Sequence, residues 1–262
     1  MIALLLGAAL AAGQGRITNG QIETKAATQS VEREVAAATS RGGARWVGYR
    51  IKVASGRRSM DCLERSHIAL EGATEVSILA RFEGTALTRL RTATPECEID
   101  AGGLPVTWLD NVKADDSAAW LASVVNGANA DSRDRFNRVT KPAITALGMH
   151  EGAAASRSLI AIARNHPATS VRNDALFWLG QRAGDQLAAG AIAEAIEKDP
   201  DTDVRKRAVF ALSQLPKDES IPKLIDVAKN NKNAAVRQQA MFWLGQSNDP
   251  RALKFFEDVL LK

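Results

Sequence analysis

One eleven-position phrase recurs three times toward the C-terminus. It runs Val171-Arg172-x-x-Ala175-x-Phe177-x-Leu179-x-Gln181, then Val204-Arg205-x-x-Ala208-x-Phe210-x-Leu212-x-Gln214, then Val236-Arg237-x-x-Ala240-x-Phe242-x-Leu244-x-Gln246. The starts lie 33 and 32 residues apart. A weaker copy stands 32 residues earlier, where Val139, Ala143 and Leu147 keep the apolar offsets and Thr140, Thr145 and Met149 replace Arg, Phe and Gln. A period in the low thirties implies a stacked array in which each unit buries its apolar face only against its neighbours. Few other architectures tolerate such a pattern.

Between phrases lies a second apolar segment. Leu159, Ile160 and Ala163 precede the first Val, Ile192, Ala193 and Ile196 the second, and Leu224, Ile225 and Ala228 the third. The spacing i, i+1, i+4 marks one face of a helix. Each unit is therefore a helix pair, A then B. Asp249-Pro250 sets a capping carboxylate before a proline whose missing N–H costs nothing at a helix start. Asp201 and Asn233 stand where N-caps of two B helices are expected, and Pro142 falls in a first turn.

The Val-Arg-x-x-Ala-x-x-x-Leu pattern after Asp or Asn, on paired short helices, resembles HEAT repeats over residues 131–262. The resemblance implies an α-helical solenoid with A helices on a convex side and B helices lining a concave side. It implies macromolecular partners. It also implies an Asp–Arg ladder between units: Arg172, Arg205 and Arg237 match, while Ala168 and Asn233 stand at two of the Asp positions.

Composition suits a soluble globular chain, with 45% hydrophobic and 24% charged residues in 262. The net charge of +4 is spread along the chain and gives little reason to invoke nucleic acid. Residues 1–13, Met1 to Gly13, form an apolar run with small residues at its end, like a secretory signal without a basic lead. The run is too short to span a bilayer, and no other stretch is a candidate. The expected location is thus exported, periplasmic or extracellular. Cys62 and Cys97 agree with that: neither has metal-site spacing, and a disulfide between them is expected. Such a bridge closes a loop of about 35 residues and stabilises by about 3–4 kcal/mol on the chain-entropy model. Two buried thiols are the alternative.

Residues 16–110 are expected to form a small α+β domain with a few antiparallel strands. Residues 16–28 have weak strand character, and 29–39 a helical face of Val31, Val35 and Ala38. Strands follow at 46–53, with Gly48 suggesting a bulge, and at 75–82. Glu83-Gly84 turns into a hairpin partner at 86–92, and Gly102-Gly103 and Pro105 mark the exit. Residues 111–130 read as a helix and linker. This half, with Trp46-Val47-Gly48-Tyr49, Cys62 and Cys97-Glu98-Ile99-Asp100-Ala101-Gly102-Gly103, looks like the front domain of exported bacterial HEAT-repeat proteins. That resemblance implies no activity.

Candidate site residues follow from helix geometry at about 100° per residue. With the Val of helix B at zero, Ala at +4, Trp178, Ala211 or Trp243 at +7, and Leu at +8 share a core face. Phe at +6 falls apart from them, among polar neighbours that include Asp174, Arg207 and Gln239 at +3. Gln at +10 lies four residues after Phe and beside it. Stacking would then present Phe177, Phe210 and Phe242 alternating with Gln181, Gln214 and Gln246. Two placements are open: a concave surface for an extended peptide or protein segment, or core between helix pairs. Arg172, Arg205 and Arg237 are expected to pair with loop carboxylates between repeats.

No catalytic, cofactor or metal constellation is evident. His67, His150 and His166 stand apart and are expected to be solvated or at helix ends. Asp61, Glu64, Glu96, Glu98 and Asp100 flank the cysteines without the ligand spacing of a calcium loop. The expected function is a non-enzymatic protein-interaction scaffold without a cofactor. The alternative is a HEAT-like lyase or maturation factor acting on a protein client. Ala252, Leu253, Phe256 and Leu260 leave room for self-association through 249–262.

Overall fold

The computed structural model describes residues 16–53, 74–127 and 132–261, which form two compact units divided between Ser117 and Ala118. The signal-like segment 1–13, Asp61, Cys62, Glu64, His67 and part of the expected linker lie outside the described residues.

In the N-terminal unit, β1 (Arg16–Thr18) pairs in parallel with β6 (Glu98–Asp100). A five-stranded sheet holds β2 (Ile22–Ala26), β7 (Val106–Asp110), β3 (Ala44–Lys52), β4 (Glu75–Glu83) and β5 (Ala86–Ala93), in that spatial order. The expected antiparallel part is the run β3–β4–β5, with Gly84 at φ +60° turning the hairpin. The other half is parallel: β7 lies between β2 and β3 and runs with both. Sequence reading misses β7. Val106, Thr107, Trp108 and Leu109 are all buried, so the strand lacks the alternation that a half-exposed strand shows.

Gly48 is not a bulge. It pairs in regular register with Leu79 and Trp108, and a Cβ there would stand 2.9 Å from the Trp108 ring. The irregularity falls between Arg81 and Phe82 instead. A central sheet position without a side chain is what admits a tryptophan on the neighbouring strand.

Helix α1 (Val31–Thr39) buries Val31, Val35 and Ala38 as its spacing requires, but it also buries Glu34. That carboxylate meets Lys25 Nζ at 2.8 Å and accepts the backbone N–H groups of Thr28 and Gln29 at 2.9 and 3.1 Å. The Lys25 contact, then the Thr28 hydrogen bond, holds its pKa down from 4.5 to about 2. A depressed carboxyl stabilises the fold fully above pH 4.5, and that share is lost as pH falls toward about 2. The stability difference between wild type and Glu34→Gln, followed by denaturant unfolding against pH, is expected to be flat at neutral pH and to vanish across that window.

The division between units falls within α2 (Ala114–Asn126). Then come α3 (Arg133–Arg135), a π-helical turn (Phe136–Thr140), α4 (Lys141–Met149), α5 (Ala153–Asn165), α6 (Thr169–Gly180) and α7 (Gln186–Lys198). The chain continues with α8 (Thr202–Ser213), α9 (Lys217–Asn230), α10 (Ala234–Gln246) and α11 (Pro250–Leu260). Helices α5, α7, α9 and α11 are A helices. Helices α4, α6, α8 and α10 are B helices carrying the weak phrase and the three strong ones. Asp201, Asn233 and Asp249 cap α8, α10 and α11 with their side chains. Asp185 does the same for α7, a cap the sequence pattern did not single out.

Each B helix packs on the next: α4 on α6, α6 on α8, α8 on α10. The Val, Ala and Leu of all four phrases are at most 1% exposed. Position +9 fixes how closely the layers approach. A Cβ on Gly148 would collide with the Trp178 ring of the next layer, and one on Gly180 would stand 2.7 Å from the Ala211 carbonyl oxygen. The +7 residue of each of those following layers thus rests on a backbone that carries no side chain.

Candidate functional site

The three phrase arginines fold back on the loop that enters their own helix. Arg172 donates through Nη1 to the carbonyls of His166 and Pro167, both at 3.0 Å. Arg205 donates to the Asp199 carbonyl at 2.6 Å, and Arg237 to those of Asn231 and Lys232 at 2.9 and 3.2 Å. Only Arg172 makes the expected bridge between layers. Its Nε and Nη2 meet both carboxylate oxygens of Asp199, at 3.0 and 3.1 Å, in a buried bidentate pair.

Asp199 belongs to a second repeating position, five residues before each Val. His166, Asp199 and Asn231 occupy it, and all three are buried. Each accepts the backbone N–H two residues on: Ala168 N to His166 Nδ1, Asp201 N to Asp199 Oδ1, Asn233 N to Asn231 Oδ1. Three different residue types share one task, which hid the position from pattern matching. Of the two placements expected for the histidines it selects the helix end: His150 and His166 are the C-caps of α4 and α5, and they are 1% and 5% exposed. The capping position Asp201 joins the ladder through Thr169, which donates to it at 3.0 Å, and Asn233 donates to Thr202 at 3.0 Å.

The aromatic residues form a continuous strip across layers. Phe177 and Phe210 lie parallel, 6° apart in plane, with ring centroids 6.4 Å apart. Phe210 contacts Trp243 at 5.0 Å, and Trp243 meets Phe242 edge-on at 5.0 Å. Trp178 closes the other end against Phe177 at 5.3 Å. Phe177 and Phe210 are half-buried and Phe242 is exposed, so the strip is neither enclosed core nor free surface. The expected placement of Trp178 and Trp243 in the core needs the same correction: both are half-buried at seams between layers. Gln181, Gln214 and Gln246 are exposed at the C-terminal ends of α6, α8 and α10.

Arg207 completes the strip. Its guanidinium lies 4.7 Å from the Phe210 centroid and 5.3 Å from that of Phe177, held by cation–π attraction over two layers. No acceptor among the described residues takes a hydrogen bond from it, so its donor edge is available. Asp174, the +3 residue of the preceding phrase, feels Lys141 and Arg207, yet burial raises its pKa. Its Oδ2, the Asn173 Oδ1 and the Trp243 Nε1 have no hydrogen-bond partner among the described residues. Arginine three residues before an aromatic, on a helix whose neighbour repeats that aromatic, is the signal that would have found this cluster.

Elsewhere, Cys97 is buried, with Sγ 3.1 Å from Thr94 Oγ1. Asp100 accepts hydrogen bonds from Asn19 Nδ2 and Gly102 N at 3.0 and 2.7 Å. Among the described residues no group of three or more His, Cys, Asp and Glu is placed to hold a metal ion.

Residues 156–240 and 188–262 match the family model of HEAT repeats. The C-terminal region is a HEAT-repeat array. No curated protein matches the chain. Among solved structures, human deoxyhypusine hydroxylase in complex with glycerol is similar over 50% of this chain and 43% of that chain, with 20% identity and a TM-score of 0.40. The chain therefore spans less than half the length of that structure. HEAT repeats commonly mediate protein interactions, and no helix among the described residues is long and apolar enough to cross a membrane.

Within the HEAT array the Arg172–Asp199 pair is the polar link with most at stake. Asp199→Ala strands a buried guanidinium and is expected to cost about 3–5 kcal/mol in denaturant unfolding. Asp199→Asn, which keeps the turn acceptor, is expected to cost less.

Proposed function

We propose that this chain is a non-catalytic protein-binding module whose B-helix face takes an extended peptide or protein segment. The observation that carries the reading is the strip Phe177–Phe210–Trp243–Phe242 with Arg207 laid over it. Half-buried rings present flat apolar area without ordering cost, since neighbouring layers already hold them. Arg207 is fixed in place yet keeps its donors for a carboxylate or a backbone carbonyl of the ligand. Aromatics and arginine in a polar frame are the composition of an interface centre.

Panning a random peptide library on the immobilised protein tests this. Enriched peptides are expected to lose affinity about tenfold or more on Phe177→Ala/Phe210→Ala/Phe242→Ala and on Arg207→Ala, a difference of about 1.4 kcal/mol. Far-UV circular dichroism of both variants should match wild type. Peptides that bind wild type and triple variant equally would sink the reading.

The module is further proposed to act outside the cytoplasm, in the periplasm or extracellular space, with Cys62 and Cys97 bridged. The apolar run at 1–13 and the lack of metal spacing around the two cysteines support this. Alkylation of the unreduced, denatured protein is expected to add no label, with two labels after reduction. Two labels without reduction would refute the bridge.

A further inference from the structure

The charge of the HEAT array is unevenly shared between its two sets of helices. Helices α4, α6, α8 and α10 hold six basic and two acidic side chains, a net +4, whereas α5, α7, α9 and α11 hold eight and seven, a net +1. Much of the B-helix excess is already matched. Arg172, Arg205 and Arg237 close their loops, and Lys206 pairs with Asp203 at 2.6 Å. That leaves Lys141 on α4 and Arg207 on α8, neither of which has an ion-pair partner or a hydrogen-bond acceptor among the described residues. Asp174, on the helix between them, does not serve as their counter-ion. It is half-buried, its Oδ2 accepts no hydrogen bond among the described residues, and burial raises its pKa against the pull of both cations. Helices α6 and α8 each have a packed B helix on either side, so the surface they present is not an end of the array.

We propose that the segment bound on the Phe177–Phe210 strip is acidic: a carboxylate takes the donors of Arg207 while an adjoining apolar side chain lies on the rings. The inference rests on the strip being the binding face and decides which acceptor that face takes. A guanidinium carries five N–H donors and no acceptor, and cation–π attraction holds this one over Phe210 and Phe177 without supplying an acceptor oxygen. A carboxylate matches the guanidinium fork with two parallel hydrogen bonds and is drawn by the field of Lys141 as well; a neutral carbonyl gains neither. A nucleic-acid strand also offers rings and negative charge, but two unmatched cations over three layers are too few to follow a phosphate backbone.

Fluorescence anisotropy on the full chain tests the charge of the ligand. The probes are labelled peptides of equal length built from Pro-Glu-Leu, Pro-Gln-Leu or Pro-Lys-Leu repeats, with oligothymidylate as the nucleic-acid arm. In polyproline II form a triplet returns to the same face after about 9 Å, close to the spacing of about 8–10 Å between packed helices. At low salt the Glu peptide is expected to bind wild type about tenfold more tightly than the Gln peptide, and the Lys peptide more weakly than both. Arg207→Gln should bring the Glu peptide down to the affinity of the Gln peptide, and Arg207→Glu should favour the Lys peptide. Lys141→Gln, at an exposed site away from the rings, should weaken the Glu peptide about threefold with unchanged melting. Arg157→Gln, which removes an exposed cation from the A helix α5, should change nothing. A wild type that binds none of the peptides, prefers the Gln or Lys peptide, or binds oligothymidylate more tightly than the Glu peptide overturns the proposal. Equal affinity for all three peptides, lost in Phe177→Ala/Phe210→Ala/Phe242→Ala, overturns the acidic ligand alone and leaves the peptide-binding strip standing.

Discussion

The helical unit depends on how close one B helix can come to the next. At Gly148 and Gly180 the approach is set by the absence of a side chain: a tryptophan or an alanine of the following layer lies directly on helix backbone. This contact positions everything else. With the helices this near, Phe177 and Phe210 stand parallel in adjacent layers, and one arginine on α8 can cover both. A wider spacing would leave two separate rings and a solvated guanidinium. The aromatic strip is thus a by-product of stacking distance, which explains why its rings are also structural.

Polar links work on the loops rather than on the helix faces. His166, Asp199 and Asn231 each fold a loop by accepting a backbone N–H, and the phrase arginine then closes the same loop onto its carbonyls. Only Asp199 also reaches the neighbouring layer as an ion. Buried loop polar groups have to be satisfied somewhere, and repeating the solution with three residue types shows that the acceptor matters more than its charge.

Much of the HEAT array was legible because each environment recurs. Four examples of Val, Ala and Leu at fixed offsets average out local accident, and all of these residues are buried. The half-buried residues were not legible from a single helix. An angular projection has one inside and one outside, but a B helix here has neighbours on both sides, so Trp178, Phe177 and Phe210 sit at seams. The −5 position escaped because His, Asp and Asn share a function and no chemistry class. In the N-terminal unit the hairpin β4–β5 follows directly from alternation and Glu83-Gly84. Strand β7 does not: it is buried on both faces and preceded by Gly102-Gly103, which looks like the end of a sheet. Its place is set by Trp108 and the bare backbone of Gly48, a pairing of residues 60 apart that no local pattern encodes.

Both units therefore use one device, a glycine that accepts a tryptophan from a neighbouring element. In the sheet the pair Gly48 and Trp108 joins strands distant in sequence; in the solenoid Gly148 and Trp178 join adjacent layers. The difference lies in repetition. A sheet position is used once and its glycine is filled. A repeat can use the position again: Gly148, Gly180 and Gly245 stand at +9 of their phrases, and Ser213 takes that place on α8. Each added layer buries the previous face and presents a new one of the same chemistry, so stacking alone never removes the exposed end.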